Sequence, residues 1–185
     1  MILYRCFAWE READASAPGG ALWFPRARQG DGRHDAPERY GCLYLSEEPV
    51  AAVVERLAPL AGTELARGDL TREGRPLALA ALSLADEARL VDLDDPLVLA
   101  EEGLRPSLVA TRDRRLTRAH AAELHERRPD AAGIRWCSAF ESLWANVTLF
   151  DRAAGLVGVE DVRRVGLDDE AVREAAGFLG LPVAA

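Results

Sequence analysis

Lysine is missing altogether: all 23 basic side chains of this 185-residue chain are arginine. That removes Schiff-base lysines and the P-loop lysine together. The bias fits GC-rich coding, in line with the many Ala and Gly, so the arginine count is background and only positions carry meaning. Cysteine is scarce. Cys6, Cys42 and Cys137 are far apart, odd in number and never in a CxxC pair, which excludes a disulfide framework and suits a reducing compartment. Long apolar runs are also absent; the stretch 77–84 is too short to span a bilayer. Residues 1–5 show no basic region leading into an apolar segment, so the expected setting is soluble and cytoplasmic. Positive charge is in deficit, 23 against 31 acids for a net charge of −8. Binding to nucleic acid feeds on clustered positive charge, so no direct nucleic-acid partner is expected. Several familiar sites do not occur: no HExxH, Walker A, GxGxxG or GxSxG. Of the three histidines, His34, His120 and His125, the last two are five apart and off a common helical face, so no zinc site is expected.

What is present is an ordinary globular composition, 49% hydrophobic and 29% charged, long enough for one domain with a sizeable core. Residues 1–9 read as a strand and 41–45 as another, separated by a long Gly-, Pro- and Arg-rich loop over 10–39. Ser46 offers an N-cap for a helix over 47–59, whose stripe is Val50, Val53, Val54, Leu57 and Leu60. Glu55 stands on the neighbouring face among Ala51, Ala52 and Ala58, in a helix apolar enough on all sides to be buried. Strands are expected over 75–84, 89–93, 133–138, 147–150 and 156–165. Helices are expected after Asp95, over 116–127, and over 168–179 with Asp168 as cap and Gly180 beyond. Strands and helices mix without strict alternation, which favours an α+β fold: a single domain with a mixed central sheet flanked by helices. Asp92, Asp94 and Asp95 raise a hard-cation site. A strand end followed by an Asp N-cap explains them more simply.

The informative stretches are Gly32-Arg33-His34-Asp35-Ala36-Pro37, then Gly41-Cys42-Leu43-Tyr44-Leu45, then Ala52-x-x-Glu55. Later come Leu90-Val91-Asp92-Leu93, Gly103-Leu104, Gly133-Ile134-x-x-x-Ser138 and Asn146-Val147-x-Leu149-Phe150. With the opening Leu3-Tyr4-Arg5, their order and character resemble the RES-domain family, named for an Arg, a Glu and a Ser. The resemblance runs nearly end to end, as one RES-type domain over 1–185. Its R block is 32–45, its Glu-bearing helix 47–59, its S block 133–150, and a C-terminal helix over 168–179 closes it. The chain departs from the family at His34, at the long insert including 63–75, and at Trp136-Cys137 before the serine.

The resemblance implies a fold similar to ADP-ribosyltransferase toxins. It also implies NAD as substrate, no prosthetic group, and inorganic phosphate as co-substrate where phosphorolysis replaces hydrolysis. It further implies a toxin of a toxin–antitoxin pair, partnered in a hetero-oligomer by an antitoxin with a helix-turn-helix part. Breaking the nicotinamide–ribose bond develops an oxocarbenium-like transition state, so a fixed carboxylate suits it, and Glu55 takes that part. Arg33 and Arg5 suit the pyrophosphate by bidentate contact. Tyr44 and Tyr40 offer flat walls for nicotinamide, and Ser138 a hydroxyl for the ribose or the amide. The catalytic expectation is thus Glu55, Arg33 and Ser138, with Arg5, Arg33, Tyr40, Tyr44 and Ser138 on the substrate. ADP-ribosyl transfer to a protein and a catalytically inactive RES-fold binding domain are the alternatives. A metal-dependent enzyme built on Asp92, Asp94 and Asp95 is a third.

Overall fold

The structure, a computed structural model, describes residues 1–184. Its strands are β1 (Ile2–Ala8), β2 (Cys42–Ser46), β3 (Thr71–Arg72), β4 (Arg75–Leu84), β5 (Arg89–Asp92), β6 (Ala131–Cys137), β7 (Ala145–Phe150) and β8 (Val157–Arg164). Its α-helices are α1 (Pro49–Leu57), α2 (Pro96–Glu101), α3 (Pro106–Val109), α4 (Arg114–Arg127) and α5 (Glu170–Leu179). Two compact units emerge, each drawn from separated stretches. One takes Met1, Phe24–Leu45 and Leu84–Val157; the other takes Ile2–Trp23, Ser46–Ser83 and the stretch from Gly158.

In the first unit the strand order is β2-β7-β6-β5. Every residue of β7 is buried, the polar Asn146 and Thr148 included, as are most of β6. They pair antiparallel, Gly133 opposite Leu149. A Cβ on Gly133 would lie 2.2 Å from the Thr148 carbonyl oxygen, so only glycine allows that approach. β5 and β6 are parallel, with Val91 opposite Ile134, and the connection between them carries α2, α3 and α4. Asp113 caps α4 by accepting from the Arg115 and Leu116 amides. That helix buries Thr117, Ala121 and Leu124, and the unit's core gathers Leu124, Ile134, Trp136, Tyr40 and Phe150.

In the second unit β1 runs antiparallel to β4 along its whole length, from Ile2 opposite Ser83 to Ala8 opposite Leu77. β3 folds back on β4 through Glu73 and Gly74, both at positive φ (53° and 75°), the backbone a tight hairpin needs. β8 lies against β4 as well. Helix α1 packs on β1 and α5. Asp169 caps α5 at the Ala171 amide, and Gly180 ends it in the left-handed region at φ 65°.

The α+β expectation holds: β5 and β6 pair parallel while β1 and β4, and β6 and β7, pair antiparallel, with helices inserted without regular alternation. Local expectations are corrected in three places. Ser46 is the last residue of β2 and not a cap; Glu48, extended, precedes a helix that starts at Pro49, because proline suits the first helical position and holds the residue before it extended. The cap of α5 is Asp169, one residue past Asp168. And α1 is not buried on all sides: Ala51, Ala52, Val53, Val54 and Leu57 are, whereas Glu55 is exposed. The short elements α3 and β3 carry too few residues to show a period.

Candidate functional site

The expected site residues divide between the units. Arg33, Tyr40, Tyr44 and Ser138 belong to the first, Arg5 and Glu55 to the second.

Within the first unit, the loop over 30–35 is organised by a carboxylate. Asp35, 5% exposed, accepts from the Gly30 and Gly32 amides through Oδ2, at 2.9 and 2.7 Å. Its Oδ1 accepts from the Tyr44 hydroxyl at 2.6 Å. The short distance is that of a charge-assisted bond. A Cβ on Gly32 would sit 2.5 Å from the Tyr44 hydroxyl and 2.6 Å from Asp35 Oδ1, so the loop closes this tightly only with glycine there. The same Tyr44 hydroxyl accepts the His34 amide at 2.9 Å. Its proton is therefore committed to Asp35 and one lone pair to His34. Burial, first, and then the neighbouring Cys42 and Asp35 push the Tyr44 phenol well above its ordinary range, so it stays neutral.

His34 ties this loop to the sheet. It is 4% exposed, and its Nδ1 lies 2.9 Å from Thr148 Oγ1, which also accepts from the Trp136 indole at 3.1 Å. Desolvation, followed by the charges of Arg33 and Arg114, lowers its pKa to about 3, so the ring is neutral. Arg33, equally buried, donates through Nη1 to the Val109 and Thr111 carbonyls at 2.8 and 2.9 Å. Its guanidinium also stacks 4.8 Å over the Trp136 ring. Thr117 Oγ1 holds the Arg33 carbonyl at 2.6 Å. Tyr40 is fully enclosed, stacked on His125 at 4.3 Å and donating to the His34 carbonyl at 2.9 Å. Its ring faces are thus taken up by the core. Ser138 follows β6 directly; its amide donates to the Trp144 carbonyl and its Oγ accepts from the Phe140 amide, closing the turn that leads to β7.

The structure therefore draws Arg33, Tyr40 and Tyr44 onto one loop framework, with His34 and Asp35 at its centre. Sequence reasoning passed over both residues as site organisers. The available signal was the pair of glycines three and five residues ahead of Asp35, since an Asp side chain commonly collects nearby amides in a turn. Beside this framework lies a cavity of about 10 Å³, lined by His34, Thr117, His120, Leu93 and Leu124. It has room for roughly one water and none for a nucleotide.

In the second unit Glu55 is exposed on α1. Arg5, half-buried on β1, donates to the Gly20, Ala21 and Trp23 carbonyls, at 3.2, 2.5 and 3.3 Å, and lies 4.9 Å over Phe7. It thereby clamps the chain after the first turn of the long loop. The acidic trio of the first unit is accounted for by structure. Arg135 pairs with Asp92 at 3.1 Å and Asp94 at 3.8 Å, and Asp95 caps α2. Among the described residues no group of three or more His, Cys, Asp or Glu is placed to hold a metal ion.

The fold and the ordered Arg, Glu and Ser blocks define a class, and comparison with known proteins gives it a name. The family model for the RES domain matches residues 2–169, nearly the whole chain, and the chain belongs to that family. Among solved structures it is similar to a chain in the crystal structure of the M. tuberculosis MbcT–MbcA toxin–antitoxin complex. The TM-score is 0.62 and the identity 18%, over 97% of this chain and 87% of that one. At that identity the likeness shows the fold. No curated protein matches the chain.

Proposed function

We propose that this chain is the toxin of a toxin–antitoxin pair and that it cleaves the nicotinamide–ribose bond of NAD, lowering cellular NAD and arresting growth. The observation that carries this reading is membership of the RES family over residues 2–169, with Arg33, Glu55 and Ser138 in the family's order. The site chemistry agrees with it. Glu55, a carboxylate exposed on α1, suits stabilisation of an oxocarbenium-like ribose. Tyr44, with its proton on Asp35, offers the substrate a ring face and a lone pair rather than a donor, which fits the amino group of a carboxamide. Arg33 and Ser138 hold the loop and the strand end that frame it. Tyr40, bonded as it is to the His34 carbonyl, acts on the substrate chiefly by fixing that frame, and Arg5 is the pyrophosphate contact of this reading.

The partner in this reading is a helix-turn-helix antitoxin in the cytoplasm, and operator binding belongs to that partner. The net charge of −8 supports this division. Likewise, no helix of the described residues is long and apolar enough to cross a membrane.

The test is incubation of the purified chain, stripped of any copurifying partner, with NAD in the presence and absence of phosphate and of EDTA. Products are then read by mass spectrometry. Free nicotinamide with ADP-ribose or ADP-ribose-1″-phosphate is the expected result. Nicotinamide with a modified protein moves the reading to ADP-ribosyl transfer. No NAD loss under any condition leaves a RES-fold binding domain, and loss abolished by EDTA overturns the metal-independent mechanism.

A further inference from the structure

Positive charge is unevenly spread along this acidic chain. Residues 103–122 hold five arginines, Arg105, Arg112, Arg114, Arg115 and Arg118, against Asp113 alone. The rest of the chain carries 18 arginines against 30 acids. Four of the five are exposed, and Arg118 is half-buried. Among the described residues none of the five has a carboxylate within ion-pair distance. The Nε of Arg118 is buried with no hydrogen-bond partner.

Arg114 and Arg115 open α4, and Arg118 stands four and three residues further on, so the three share one face of its first turns. A helix N-terminus favours acids, and like charges four apart repel, so this placement works against the helix. Arg105 precedes α3, which packs on α4. Contacts of Arg33 fix where the cluster lies. Arg33 reaches the Val109 and Thr111 carbonyls just ahead of α4, while its guanidinium covers Trp136 near the end of β6. The start of α4 therefore lies beside the C-terminal end of β6. The parallel strand β5 ends there too, tied by Arg135 to Asp92 and Asp94. Three exposed apolar side chains come from that same end of the strand pair. They are Leu97 near the start of α2, 74% exposed, and Phe140 and Leu143 in the turn after β6, 42% and 89% exposed.

We propose that this end of the first unit is a docking surface for an amphipathic acidic segment of a partner protein. Acidic side chains of that segment meet the arginines of α4, and its apolar side chains cover Leu97, Phe140 and Leu143. Exposed apolar groups beside unpaired arginines are the makeup of a protein interface. Charge complementarity sets the sign: the partner segment removes the repulsion that the cluster imposes on α4. A nucleic-acid duplex fits less well. It carries one charge per about 1.7 Å of axis, so it runs past the cluster onto a chain that is otherwise acidic, and it leaves the apolar side chains uncovered. The surface stands on charge, exposure and strand topology; only naming the antitoxin as that partner rests on the toxin reading.

The probe is a fluorescein-labelled helical peptide of about 20 residues, with Glu on one face and Leu on the other. Its binding to the full chain is read by fluorescence anisotropy at about 0.01 M and 0.15 M salt, where the Debye length is about 30 and 8 Å. The peptide binds at the lower salt and weakens roughly tenfold at the higher. Replacing its Glu by Gln abolishes binding, and replacing its Leu by Ser weakens it several-fold. Arg114→Glu/Arg115→Glu weakens binding by about tenfold or more, and Leu143→Ser weakens it several-fold. Arg67→Glu/Arg173→Glu, exposed in the second unit and equal in net charge change, leaves binding as it was. Arg114→Glu/Arg115→Glu melts at or above the unsubstituted chain, since acids suit the first turn of a helix. Arg114→Gln/Arg115→Gln covers the case in which the charge reversal does not fold.

No binding of the acidic peptide by the unsubstituted chain overturns the proposal. Equal loss in the two charge-reversed pairs overturns it too, because net charge then explains the effect. A melting temperature that drops in both the Glu and the Gln pairs at 114 and 115 assigns these arginines to the fold and overturns it. A 20-base-pair DNA duplex that binds more tightly than the peptide, and loses that binding in Arg114→Glu/Arg115→Glu, makes the surface a nucleic-acid one and overturns it as well. Peptide binding by a chain that leaves NAD untouched sinks the NAD reading and leaves the surface standing; NAD loss without peptide binding does the reverse.

Discussion

Tyr44→Phe removes one oxygen atom from the framework of the first unit, and its cost can be built from the contacts of that atom. The hydroxyl donates to Asp35 Oδ1 at 2.6 Å and accepts the His34 amide at 2.9 Å. Both partners are buried, at 5% and 4% exposure, so water does not replace the lost contacts without opening the loop. A bond to a charged group contributes about 1.5–3 kcal/mol and a neutral one about 0.5–1.5 kcal/mol. The two together put the loss at roughly 2–4 kcal/mol, and at about 2–4 °C per kcal/mol that lowers the melting temperature by about 5–15 °C. The ring itself stays, so no packing term adds to this. Calorimetry or urea unfolding with an unchanged m-value checks it. Asp35→Ala orphans three donors, the Gly30 and Gly32 amides and the Tyr44 hydroxyl, and should cost at least as much. The double variant should then fall well short of the sum, since the two residues share a bond. A Tyr44→Phe protein within 0.5 kcal/mol of the original, on the order expected of an ordinary surface change, would refute the claim that this network holds the loop.

Acid should destabilise the chain through His34. Its folded pKa of about 3 lies below the ordinary 6.5, so the unfolded state binds the proton first. Stability is complete above pH 6.5 and falls by up to about 1.4 kcal/mol per pH unit down towards 3, a slope that His34→Gln should flatten in a pH series of unfolding curves. Gly133→Ala should lower stability by several kcal/mol or prevent folding. The new methyl would lie 2.2 Å from the Thr148 carbonyl on the facing strand β7, and circular dichroism on heating reads the outcome. Glu55→Gln should melt like the original, because the side chain is exposed. It should nevertheless lose on the order of 10² to 10³ in NAD turnover with little change in NAD binding. Turnover near the original rate would remove Glu55 from the chemistry.

The sequence made the fold's larger elements visible because their signals are local. Asp95, Gly180 and the apolar run of β4 each announce themselves within a few residues. What escaped them was set by distant partners. Ser46 has every local qualification for a cap, yet its backbone is claimed by strand pairing with Tyr4. The burial of α1 was overestimated for the same reason. Its composition is apolar on most sides, and only the elements it packs on, β1 and α5, decide that the Glu55 side stays exposed.

The site follows a similar logic at finer scale. The residue types singled out by family resemblance were those that carry charge or rings, namely Arg5, Arg33, Tyr40, Tyr44, Glu55 and Ser138. The structure finds five of them spending hydrogen-bonding capacity on their own chain: Arg5, Arg33 and Tyr40 on backbone carbonyls, Tyr44 on Asp35, and Ser138 on the Phe140 amide. Chemistry-bearing groups held this way keep a defined orientation, and the residues holding them are less conspicuous in sequence. Asp35 stood within the Gly32–Pro37 stretch without a role, and His34 stood as a departure from the family. Yet one fixes the proton of Tyr44, and the other links the Arg33 loop to Thr148 in the middle of the sheet.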